Sequence, residues 1–239
     1  MQIEKPWNKM KYFYDLHIHS DLSPCGSKDM TPNNIVNMSF IKGLDIISIT
    51  DHNTTENLPA IVELSNNIGL LAIPGIEVTT KEEVHALCYF KDLSDAMNFG
   101  RLIYDSLPGI KNIPSIFGEQ NIYNSNDEII GSLDKLLINS SSYSLNELIN
   151  IVGKHHGIMI PAHINKKTNS LLGVLGFIPY DLQINFVEIN SKLEISEKLI
   201  ESYNIISNSD AHYLTHISER ENYIELTKIE NIYDYLKIN

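Results

Sequence analysis

The sequence predicts an α/β fold in which a mainly parallel sheet closes into a barrel. Apolar, strand-like runs alternate with helical stretches along most of the 239 residues. No repeat, low-complexity tract or Gly/Ser/Pro-rich linker interrupts that order. Repeated βα order favours a parallel sheet, and barrels of this kind commonly reach such a length as one unit. Residues 1–239 are therefore read as a single domain, with an irregular insertion at about 92–143 between strands that carry candidate ligands.

The elements follow in order. Tyr12 to His19 is a strand. Thr31-Pro32 opens a helix, since Thr can cap and Pro suits the first turn, and Gly43 stops it in a left-handed conformation. Leu44 to Thr50 is a second strand, mostly apolar as a strand buried on both faces should be. A helix from about Leu58 to Ile68 ends at Gly69, and strands follow near Leu70 to Val78 and Val84 to Phe90. A helix spans about Ser94 to Leu107, and Pro108 to Asn126 is an irregular excursion. Ser144-Leu145-Asn146-Glu147 has capping-box spacing and opens a helix toward Val152. Strands near Gly157 to Ala162, Asn185 to Asn190 and Tyr203 to Ser207 complete the series.

The formal charge of −12, from 30 acidic and 18 basic residues, weighs against a surface that coats nucleic acid. No apolar run has the length of a membrane helix, and Met1 to Pro6 lacks the pattern of a signal peptide. Cys25 and Cys88 outline no disulfide framework. A reducing, cytoplasmic setting is the expectation.

The nine histidines carry the functional argument. In Asp15-Leu16-His17-Ile18-His19, strand alternation puts Asp15, His17 and His19 on one face. Two imidazoles converging at a strand end can chelate a divalent cation, with Asp15 available to hold a ring N–H. The pattern recurs. Later strands carry Asp51-His52, Glu77, His85, His163 and, last, Asp210-Ala211-His212. Barrel enzymes gather their chemistry at the C-terminal ends of strands, and burying so many imidazoles and carboxylates without cations would be costly. A nitrogen-and-oxygen donor set suits Zn²⁺, Mn²⁺ or Fe²⁺. His155 and His156 are assigned to a surface turn, His216 to an exposed loop, and Asp51 to a supporting or capping role.

Asp-Leu-His-Ile-His-Ser at 15–20, Thr-Asp-His at 50–52, Gly-Ile-Glu at 75–77 and Ser-Asp-Ala-His at 209–212 resemble the motifs of the PHP (polymerase and histidinol phosphatase) family. The resemblance runs in order from about Tyr14 to His212. It implies a distorted (β/α)₇ barrel holding two or three divalent metal ions. It further implies that His17, His19, Glu77 and Asp210 hold one ion, that Glu77 bridges to a second held by His85 and His163, and that His52 and His212 bind a third. The loop after His19 offers Cys25, Asp21 or Asp29 to that third site, with Cys25 ranked first by spacing. Lys166, next to Lys167, is placed to meet a substrate phosphate where relatives tend to carry Arg, or else lies in a solvated loop.

The implied reaction is hydrolysis of a small phosphate monoester or nucleotide by a metal-activated hydroxide, with Glu77, Asp210 and His212 as catalytic residues. The excursion at Pro108–Asn126 is a candidate flap over the pocket. The alternatives are a nuclease acting on short DNA or RNA ends and a non-catalytic, metal-binding regulatory module. Nucleic acid beyond mononucleotides or short oligonucleotides is not expected as a partner.

Overall fold

The computed structural model describes residues 9–237, so the expectation about Met1 to Pro6 lies outside the described residues. The strands are β1 (Met10–Ile18), β2 (Ile46–Ile49), β3 (Leu71–Ala72), β4 (Gly75–Thr79), β5 (His85–Tyr89), β6 (Asn121–Tyr123), β7 (Ile129–Ser132), β8 (Ile158–Pro161), β9 (Phe186–Glu188), β10 (Asn204–Ile206) and β11 (Tyr223–Leu226). The helices are α1 (Pro32–Ile41), α2 (Leu58–Ile68), α3 (Leu93–Ser106), α4 (Pro114–Phe117), α5 (Leu145–Lys154), α6 (Glu197–Ile200) and α7 (Ile232–Lys237). Among the described residues, no helix is long and apolar enough to cross a membrane.

The α/β composition agrees with the sequence, but among the described residues the strands form no closed, mainly parallel barrel. The ladders separate into sheets ordered β11-β1-β2-β3, β4-β5-β8, β10-β9 and β6-β7. β1–β2, β2–β3 and β9–β10 are parallel, whereas β1–β11, β4–β5, β5–β8 and β6–β7 are antiparallel. The reason lies in the connection between β4 and β5. Residues 80–84 are too few for a crossover, so the chain must turn back on itself. Single bridges then link the sheets near the candidate site: His52 to Glu77, and Ile18 to Ala211, both parallel. Ile164 N–H likewise donates to the Glu188 carbonyl at 2.8 Å.

Alternation along β5 separates two cores. Leu87 and Tyr89 join Leu16, Ile46, Ile160, Phe186 and Ile206 in a strand-on-strand core. Ala86 and Cys88 join the layer where Ile47, Ile76 and Val78 meet Ile35, Ile61, Phe99 and Leu148 of the helices. β-strands buried on both faces explain the continuous apolar runs in the sequence.

α2 ends as expected, with Gly69 at φ 77°. Ser144 and Glu147 form the expected capping box on α5. Thr31 does not cap α1; its hydroxyl donates instead to Asp127 Oδ2 at 2.5 Å. Asp127 Oδ1 takes the Asn33 N–H at 3.0 Å, so a carboxylate from the 92–143 insertion caps this helix.

Candidate metal centre

Three features of the fold place the histidines on one rim. β4 delivers Glu77 from its central position. Because β5 runs antiparallel to it, with Thr79 opposite His85, the start of β5 comes to the same rim. His85 stands at the start of its strand, near where the sequence placed it, and the reversal brings it in. β8 is antiparallel to β5 in turn, so His163, just past its end, returns to that rim.

His17 and His19 project from the end of β1 with their Nε2 atoms 3.1 Å apart. Each ring has its other nitrogen committed. His17 Nδ1 lies 3.0 Å from both oxygens of Glu188, and His19 Nδ1 lies 3.1 Å from Ser23 Oγ. Ser23 donates its hydroxyl proton to Asp51 Oδ1 at 2.6 Å, so its oxygen is left to accept from His19. With both Nδ1–H groups donating, the neutral rings present two lone pairs to one another. The same atoms face Glu77 at 3.3 and 3.4 Å and Asp210 Oδ1 at 3.3 and 3.2 Å. Acceptors converging in this way repel unless a cation lies among them.

Glu77, fully buried, is the hub. Its Oε1 is 2.9 Å from His85 Nδ1 and 3.2 Å from His163 Nε2, and its Oε2 is 3.0 Å from His52 Nδ1. Yet Glu77 Oε2, His52 Nδ1, His85 Nδ1 and His163 Nδ1 make no hydrogen bond. Buried polar atoms are rarely left so, and metal ligation would satisfy His52, His85 and Glu77 where they stand. Three sets of donors lie close enough to share an ion: His17, His19 and Glu77; His52, Glu77 and His85; and His19, Cys25, His52 and His212. The residues present thus fit divalent cations.

So dense a group of ionisable side chains shifts the pKa of its members. Burial disfavours a charged His17, but Glu188, Glu77 and Asp210 outweigh it and hold its pKa well above the usual value. His19 moves the other way, lowered by burial and by His212 and His52. Burial opposes ionisation of Glu77, whereas His85, His17 and His52 hold its pKa well below the ordinary range. Burial likewise opposes ionisation of the Cys25 thiol, but His52 and His212 lower its pKa to about 7. His163 and Asp210 have φ of 28° and 53°, a conformation uncommon for residues with a side chain and frequent where function holds strain.

Asp15 does not support a histidine ring. The β1–β2 register shifts between Asp15 and Ile18, and the carboxylate takes backbone N–H groups of Ser209 at 3.1 Å and Ser218 at 2.9 Å. Glu188 takes that role, and the sequence reading missed it. It also accepts from His163 N–H and Asn208 Nδ2, each at 2.7 Å. Asp51, fully occupied by Ser20 and Ser23, has the supporting place assigned to it. Of the three candidates after His19, Cys25 reaches the cluster. Asp21 is bound by Asn121 and Tyr123, and Asp29 is exposed.

A cavity of about 170 Å³ opens on this centre, lined by Cys25, His52, Glu77, His85, His163, Lys166, Asp210 and His212 among others. Lys166 pairs with Asp210 at its wall, and Lys167 is exposed. No residue of the 108–126 excursion lines it. That segment packs instead against the loop after β1, through Tyr123 and Asp21, and the flap expectation is corrected. His155 and His156 lie elsewhere, the former beside Phe99 and the latter exposed. His216 is exposed on another, polar cavity.

A model of the PHP domain matches residues 15–228. The 5'-3' exoribonuclease Rnm of Salmonella typhimurium is 36% identical over 76 residues, which are 31% of this chain and 25% of that protein. The lesion-specific endonuclease PfuEndoQ of Pyrococcus furiosus superposes with a TM-score of 0.65 at 21% identity, over 95% of this chain and 56% of that one. A proposed metal-dependent phosphoesterase of Bifidobacterium adolescentis gives 0.61 at 20% identity, over 84% and 88%. The chain therefore spans a quarter of the exoribonuclease and about half of the endonuclease. At such identities the structural likeness speaks to the fold.

Proposed function

The chain belongs to the PHP domain family, and on that premise we propose that it hydrolyses a small phosphate monoester or a nucleotide with the help of bound divalent cations. One observation carries the reading: His17 and His19 hold their Nε2 atoms 3.1 Å apart while partners of their Nδ1 atoms turn both lone pairs inward. His17, His19, Glu77 and Asp210 would hold one ion. Glu77, His85 and His163 would hold a second, and His52 and His212 with Cys25 a third. When bound, the ions supply positive charge to the phosphoryl oxygens and make water a nucleophile at neutral pH.

The remaining work belongs to side chains. Glu188 and the Asp51–Ser23 pair keep the two rings in the tautomer that binds metal. Lys166, on the cavity wall beside Asp210, is placed to take a phosphate oxygen as a point charge. Glu77, Asp210 and His212 border the same cavity and would touch the reacting groups. Free Cys25 and Cys88 suit a reducing, cytoplasmic setting.

A second reading, cleavage of short DNA or RNA, draws on the exoribonuclease and endonuclease relatives. One experiment addresses both. Wild type and His17→Ala are assayed with Mn²⁺ or Zn²⁺ on a panel of phosphorylated metabolites, nucleotides and short oligonucleotides. The expected result is monoester or nucleotide hydrolysis that falls about a hundredfold or more in the variant. Activity confined to oligonucleotides would favour the second reading, and equal activity in the variant would refute both.

A further inference from the structure

The donors at this centre are not chemically uniform. Toward the end of β1 they are imidazole and carboxylate. At the cavity mouth a thiol enters, since Cys25 lies with His19, His52 and His212 in one group of four whose donor atoms fall within 4.8 Å of one another.

Cys25 is presented by a constructed turn. Gly26 N–H donates to the Ser23 carbonyl at 2.8 Å, and Ser27 N–H donates to the carbonyl of His212 itself at 2.9 Å. A Cβ at Gly26 would stand 2.2 Å from the Ser20 carbonyl oxygen, so only glycine lets the chain fold back this closely. The thiol and the His212 ring are thus tied to one another through the backbone. His212 Nδ1 donates to the Asp210 carbonyl at 2.8 Å, which leaves Nε2 as the lone-pair nitrogen. His52, its side chain only 8% exposed, has Nδ1 toward Glu77, which leaves its other nitrogen for a second neighbour. His19 Nε2 is already committed to the carboxylate side, 3.2 Å from Asp210. Cys25, His52 and His212 therefore remain as a set of two nitrogens and one sulfur.

We infer that Cys25 makes this corner a cysteine-containing site for a borderline or soft ion, Zn²⁺ in preference to Mn²⁺, distinct from the nitrogen-and-oxygen positions beside it. Thiolate ligands select zinc, whereas carboxylate-rich sets accept manganese. Three protein donors would leave a bound zinc ion one further position, the arrangement that catalytic zinc sites use. The inference rests on the metal-binding reading of the centre.

Cobalt(II), added to the full chain after chelator treatment, tests it, because a cobalt–thiolate bond has a charge-transfer absorption that imidazole and carboxylate lack. The expected result is a near-ultraviolet charge-transfer band that titrates with cobalt, is lost in Cys25→Ser and persists in Cys88→Ala. Cys88 is wholly buried in β5, outside the donor groups, which makes it the control thiol. Cobalt bound without that band, as measured by equilibrium dialysis, would overturn the thiolate site while leaving the metal centre standing. No cobalt bound at all would overturn both. A band that survives Cys25→Ser would also refute the assignment.

Discussion

Glu188 decides which nitrogen of His17 faces the centre. Its carboxylate receives the ring Nδ1 at 3.0 Å together with the His163 N–H and the Asn208 amide, a buried position filled by three donors. Removing the charge while keeping the shape should loosen the tautomer that binds metal. Glu188→Gln is therefore expected to weaken zinc binding by about 10- to 100-fold, measured by competition with a chromophoric chelator; unchanged affinity would show that the ring is oriented by other means. The ligand candidates themselves were legible because short strands end repeatedly in His, Asp or Glu. Glu188 ends a strand too, but it supports a histidine 171 residues away. Nothing local distinguishes such a carboxylate from an ordinary one. Asp15 shows the converse: period-two alternation placed it beside His17 and His19, and a register shift in β1 removed it.

At the scale of elements, helices were legible where caps and glycines punctuate them. α2 has the bounds given by its apolar run and Gly69, and α5 opens with the capping box of Ser144 and Glu147. α1 differs, since its N-terminus is served by Asp127, 94 residues from Asn33. Asp127→Ala is expected to cost about 0.5–2 kcal/mol by urea unfolding, the range for a lost helix cap. A loss far below that would mean Thr31 takes over. Strand positions were legible from composition, but strand direction was not taken from it. The short connection at 80–84 already forbids a parallel pairing of β4 with β5. Read that way, it brings Glu77 and His85 to one rim without a complete barrel.

For the whole molecule, the centre joins segments from residue 17 to residue 212, so occupancy should bear on global stability. A ligand at a hundred times its dissociation constant stabilises the folded state by about 2.7 kcal/mol. For a chain of this size that corresponds to a rise in Tm of roughly 5–11 °C. Chelator treatment followed by zinc should reproduce that shift in a thermal melt, and identical melts would mean the folded chain does not bind metal preferentially. The closing of the sheets was illegible for a related reason. Where ladders stop, single bridges at His52–Glu77 and Ile18–Ala211 carry the connection, and no sequence periodicity marks a single bridge.

The most direct measurement is the metal content of the folded protein, determined by elemental analysis after chelation, reloading with zinc and removal of excess ion. Glu77 faces His17, His19, His52, His85 and His163, so wild type should retain two or more ions per chain and a folded Glu77→Ala variant clearly fewer. Less than one ion per wild-type chain, or equal content in the two proteins, would contradict the assembly of these side chains around bound cations.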